Sequence, residues 1–132
     1  MVAVQGMCLL LILWAVSGCS FTQSGFERMT DSAGGAFAAA ATTLSYVHEG
    51  KLARAYAISS FADYANELSG LDQQLSAQDG TPGKSKVQRL IALYRPAMQV
   101  VEQPCLDTSC NWRGQVAVLE RASQAFVEAS GA

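Results

Sequence analysis

Apolar positions recur by three and four in four stretches of the chain, and each stretch predicts a helix with one buried face. The first covers residues 26–48, where Thr30, Ala33, Phe37, Ala40, Leu44 and Val47 form the stripe. At about 1.5 Å per residue, that helix is roughly 34 Å long. Glu49-Gly50 supplies the stop, because Gly50 can take the left-handed conformation that closes a last turn. A second helix restarts near Lys51 with Ala57, Phe61, Tyr64, Leu68, Leu71 and Leu75 on one face, and ends before Asp79-Gly80-Thr81-Pro82-Gly83. Those five residues have the chemistry of a loop. The third stripe, Val87, Ile91, Tyr94, Met98 and Val101, lies in residues 84–103. Pro96 lacks an amide donor and crowds the carbonyl of Ala92, so the sequence predicts a kink or break near Tyr94 and Arg95. Pro104 ends that helix. The fourth starts after Asn111, a good N-cap, and is expected to bury Trp112, Val116, Leu119, Ser123 and Phe126.

Four amphipathic helices with short connections predict an all-α fold, an antiparallel four-helix bundle. Ala, Leu, Ser and Gln dominate and β-branched runs are few, which favours helix over strand. Within the first helix, Ala33-Gly34-Gly35-Ala36 and the alanines at 38–41 present almost no side-chain bulk. Close approach of a neighbouring helix is the expected use. A membrane-spanning role is disfavoured, because Ala33 to Val47 is too short and too weakly apolar.

Ahead of the first helix the character changes. Residues 7–16 form an uninterrupted apolar run of about ten, half of what a spanning helix needs, and it ends in Val16-Ser17-Gly18-Cys19. That ending resembles the lipobox of a bacterial lipoprotein signal peptide. The resemblance covers about twenty residues and departs from the usual pattern in one respect, since Met1 to Gln5 carry no Lys or Arg. It implies export, cleavage before Cys19, transfer of diacylglycerol to the Cys19 thiol and acylation of the freed amine, typically with palmitate. The expected organisation is a signal peptide over 1–18, the lipidated Cys19 with a tether over 19–25, and a helical bundle over 26–132. The tether Ser20-Phe21-Thr22-Gln23-Ser24-Gly25 spans only about 13 Å on average as a flexible coil, which puts the bundle close to the bilayer.

About 114 of the 132 residues remain after such a cleavage, enough for one domain with a modest core. All nine Lys and Arg and all eleven Asp and Glu follow Cys19, with both signs interspersed and a net charge of −2. A nucleic-acid surface would be strongly basic, so a nucleic-acid partner is not expected.

Cys105 and Cys110 flank the turn-rich link between the third and fourth helices, and an exported chain favours a disulfide between them. A redox motif usually has two intervening residues. A zinc site needs two further ligands, which one histidine and no other mature thiol cannot readily supply. Free thiols are the other open reading. His48 is the only histidine and is expected to cap the end of the first helix, where a cation suits the helix dipole. A haem held by His48 and Met98 is a remote alternative. Gly83-Lys84-Ser85 looks like the end of a phosphate loop, yet Gln78 stands where the first glycine should be and a helix precedes it where a strand belongs. No nucleotide is expected.

No Ser, His and Asp motif or Gly-x-Ser-x-Gly elbow is present, so an enzyme is not expected. Acids Asp63, Glu67 and Asp72 and bases Lys84, Lys86, Arg89 and Arg95 fall on neighbouring helices. They read as a solvated face or as a docking patch for another protein. The sequence thus predicts a lipid-anchored, extracytoplasmic binding or scaffold module at the cell membrane or envelope, without a cofactor or metal. Its partners would be the membrane, through Cys19, and an envelope protein. The alternative is a carrier of a small apolar ligand, with a cleft near Pro96 lined by Tyr64, Tyr94 and Met98.

Overall fold

The computed structural model describes residues 25–77 and 83–130; the signal segment, Cys19 and the expected loop positions 79–82 lie outside the described residues. The described chain is all-helical. Five helices follow one another: α1 (Gly25–His48), α2 (Arg54–Ala77), α3 (Lys84–Leu93), α4 (Arg95–Glu102) and α5 (Trp112–Ala129). They pack as a helical bundle in which α1 makes its most extensive contacts with α5 and then with α2, while α4 bridges α2 and α5.

The stops are local chemistry. At the end of α1, Gly50 takes φ 74°, its amide donates to the Val47 carbonyl at 3.2 Å, and the Lys51 amide donates to the Tyr46 carbonyl at 2.8 Å. This is a Schellman closure, and it uses the glycine that the sequence marked. The second helix begins at Arg54 and not near Lys51, because residues 51–53 first carry the chain out of that closure, with Leu52 packed half-buried on the core. The expected third helix is divided. Tyr94 sits at φ −99°, ψ 15°, outside helical geometry, with Pro96 in the first turn of α4. A helix there needs no amide from proline, so the chain restarts at once, and the Met98 amide donates to the Tyr94 carbonyl at 3.1 Å. Asn111 caps α5 as expected: its side-chain oxygen accepts from the Gly114 amide at 3.2 Å.

The core is built from the predicted stripes. Phe37, Phe61 and Phe126 are almost completely buried among Leu44, Leu75, Val87, Ile91, Val101 and Leu119. Phe37 stacks on Phe126 with ring centroids 5.6 Å apart, and Tyr94 tilts against Phe126 at 6.3 Å. Buried Thr43 is hydrogen-bonded to the Tyr64 hydroxyl at 3.1 Å, so a polar group enters the α1/α2 seam with its partner. Of the five residues expected to be buried on the fourth stripe, Leu119 and Phe126 are, whereas Trp112, Val116 and Ser123 are only half-buried. Trp112 opens α5 at the edge of the bundle, where it both packs against the core and stacks on His48.

Small residues let α1 and α5 approach. A methyl group added at Gly34 would come within 3.0 Å of Val127 Cγ2 and 3.1 Å of the Ser123 carbonyl oxygen. Gly35 is different: it is exposed, and a methyl group there would meet nothing within 4 Å. Among the described residues no helix is long and apolar enough to cross a membrane.

Candidate functional site

The densest set of polar and aromatic contacts between distant parts of the chain lies where the end of α1, the link after α4 and the start of α5 converge. Cys105 and Cys110 stand at disulfide distance, with Cα atoms 5.8 Å apart. Cys105 is buried, and its amide donates to the Gln115 side-chain oxygen at 3.4 Å. The His48 Nε2 donates to the Cys105 carbonyl at 2.7 Å. A carbonyl can only accept, so the proton sits on Nε2. His48 was expected to cap its own helix. It does stand in the last turn of α1, and its side-chain hydrogen bond ties that turn to the cysteine link while Trp112 lies flat against the imidazole: the centroids are 4.8 Å apart and the planes differ by 4°. The Arg113 guanidinium also lies over the Trp112 ring, 4.6 Å from its centroid.

Ion pairs flank this corner. Arg54 reaches Asp107, inside the cysteine link, at 3.3 Å. Both groups are largely exposed, so the pair contributes at most about 1 kcal/mol. Lys51 pairs with Glu49 at 2.9 Å. The hydrogen bond that Lys51 donates to Glu49, and then the Glu49 charge, push the Lys51 ammonium above its ordinary value.

The residues proposed as a ligand cleft do not converge on one surface. Tyr94 is turned onto Phe126, and Tyr64 makes an edge contact with Phe61 while bonding Thr43. Met98 alone lines a groove between α2 and α4, with Asp72 opposite Arg95 and Glu102 at its rim. Of the charged residues read as a docking patch, Asp72 and Arg95 share that groove, Glu67 borders a separate one beside Arg28 and Met29, and Lys86 and Arg89 lie together on α3. Gly83, at φ 87°, leads directly into α3 at Lys84, as a turn before a helix requires. No group of three or more His, Cys, Asp and Glu side chains that could hold a metal occurs among the described residues.

Two contacts of the corner had no signature in the sequence. His48 and Cys105 lie on different elements, and nothing in the local pattern of either pairs them. No protein-family model matches the chain, and no curated protein or solved structure matches it.

Proposed function

We propose that this chain is a lipid-anchored, extracytoplasmic binding or scaffold protein, held at a membrane through acylated Cys19, and not an enzyme. The observation that carries the reading is the apolar run ending in Val16-Ser17-Gly18-Cys19. Two features are consistent with it. A cysteine pair at disulfide distance in a link between helices suits an oxidising compartment. The seam between α1 and α5 is filled by small residues and stacked aromatics, as a rigid platform requires. The fold is read as an antiparallel four-helix bundle whose third helix is broken into α3 and α4. Gly34 opposite Val127 and His48 against Trp112 support opposite senses for α1 and α5.

A carrier of a small apolar ligand is the weaker reading, since Tyr64 and Tyr94 are engaged in packing and the groove beside Met98 has charged walls. The anchor is tested by feeding cells an alkyne analogue of palmitate. Label on the wild-type chain and none on Cys19→Ala is the expected result. An unlabelled wild-type chain that is cut elsewhere, or not at all, would overturn the proposal.

A further inference from the structure

The chain carries four of its nine cations, Lys84, Lys86, Arg89 and Arg95, within the eighteen residues from Lys84 to Val101, and no acid lies among them. Helical geometry sorts that segment into two faces. Val87 and Ile91 point into the core, whereas Lys86, Arg89, Leu90 and Leu93, spaced by three and four, line one outer surface of α3. Leu93 is 66% exposed, the largest exposure among the exposed large apolar side chains described. Among the described residues neither Lys86 nor Arg89 forms an ion pair; the Arg89 Nε donates only to the Ser85 carbonyl of its own helix. Cations with no ion-pair partner among the described residues, beside an exposed leucine on one helical stripe, make up the chemistry of a contact with an anionic bilayer: the cations meet lipid phosphates and the leucine enters the headgroup boundary.

The position of α3 fits that occupant. Arg28 and Met29, in the second turn of α1, border Glu67, Gly70 and Leu71 in the second half of α2. After α2 ends at Ala77, the chain re-enters α3 at Lys84, and by Tyr94 it has reached the level of Phe126 and Phe37. Helix α3 therefore lies toward the same end of the bundle as the start of α1, and Cys19 precedes α1 by only six residues. A tether of that length keeps this end within a short distance of the bilayer.

We propose that the Lys86, Arg89 and Leu93 stripe of α3 is the surface on which the bundle rests on an anionic lipid bilayer, a contact that rests on the anchored reading above and fixes how the bundle is oriented. One lipid attachment leaves a protein free to tumble on its tether, whereas a basic and apolar patch supplies a second point of contact.

The full chain, purified from the expressing cells with Trp14→Phe and Leu93→Trp, tests this on vesicles. Leu93 is exposed, so the indole replaces no core contact. Emission from position 93, taken as the difference from the Trp14→Phe chain, is expected to be quenched in vesicles containing brominated phosphatidylglycerol. Vesicles of brominated phosphatidylcholine alone should quench it far less. Adding Lys86→Gln and Arg89→Gln should abolish the difference, since two surface cations supply a factor of about 30 in binding. High salt should reduce it in the same way. Helical circular dichroism unchanged by the two substitutions confirms that folding is not the cause. Equal quenching by both lipids, or none by either, overturns the proposal. Flotation of the same chain with neutral vesicles reads the anchor separately. A chain that floats while the indole at position 93 stays unquenched keeps the anchor and loses the patch, and a chain quenched only by the anionic lipid without floating on neutral vesicles keeps the patch and loses the anchor.

Discussion

His48 and Trp112 lie ring on ring, with centroids 4.8 Å apart and planes 4° from parallel, and the same imidazole donates to the Cys105 carbonyl at 2.7 Å. One side chain at the end of α1 therefore holds both the start of α5 and the cysteine link. His48→Ala should remove a stacked pair and a hydrogen bond, for a loss of about 1 to 3 kcal/mol in chemical denaturation. His48→Phe keeps a flat ring but not the donor, so it should recover part of that loss. If both variants unfold at the wild-type midpoint, the corner contributes nothing to stability.

Gly34 and Gly35 are adjacent in sequence and opposite in environment. Gly35→Ala should raise stability by about 0.5 to 1 kcal/mol, because alanine is the better helix former and the added methyl meets open space. Gly34→Leu must push Val127 and the Ser123 carbonyl away, and over-packing of this kind costs about 1 to 3 kcal/mol. Thermal melts of the two variants should move in opposite directions. Equal shifts would mean that α1 and α5 are not in close contact at this point.

The cysteine link should be oxidised in the exported protein. Intact mass with and without reduction should differ by about two hydrogens, as one disulfide requires. The six-residue ring is short, so Cys110→Ser should lower stability by only about 2 kcal/mol. Two thiols freely alkylated under denaturing, non-reducing conditions would rule the bridge out.

Phe61 and Phe126 are almost fully buried, and truncation of either to Ala should cost about 3 to 5 kcal/mol. Gln124→Ala, on the exposed face of α5, should stay within about 0.5 kcal/mol. Trp112→Ala should fall between them, because the indole is half-buried and loses its contacts with His48 and Arg113 but leaves no closed cavity. Urea midpoints of the four variants, ranked in this order, would check the map of the core.

The α1 cap depends on φ 74° at Gly50, and that on α5 depends on Asn111 and the amide of Gly114. Gly114 is itself constrained, since a methyl group there would fall 2.6 Å from the Asn111 amide nitrogen. Asn111→Ala should cost about 1 kcal/mol, and Gly114→Ala should disturb the same cap by displacing the side chain that makes it. Denaturation of the double variant should show less than the sum of the two losses, because both act on one hydrogen bond.

The sequence by itself determined which stretches are helical and what closes, breaks or caps them, because those decisions are local, although the start of α2 at Arg54 and not near Lys51 was not among them. Phe37, Phe61, Leu68, Ile91, Leu119 and Phe126 each stand on the three-and-four stripe of their own helix, which selects one face whatever lies opposite, and all six are buried. Gly50, Pro96 and Asn111 act through their own backbone conformation or a neighbour within four residues, so the first closure, the break at Tyr94 and the α5 cap were all legible. Tertiary structure decided what depends on distant partners. Gly34 and Gly35 are chemically identical, and only the position of α5 makes one a contact and the other a solvent-facing site. Trp112 follows an apolar stripe yet is only half-buried, because as the first residue of α5 it packs at the edge of the core and stacks on His48. His48 donates to Cys105 and not to its own helix for the same reason: the carbonyl that reaches it comes from a link 57 residues away, and no short-range pattern encodes that approach.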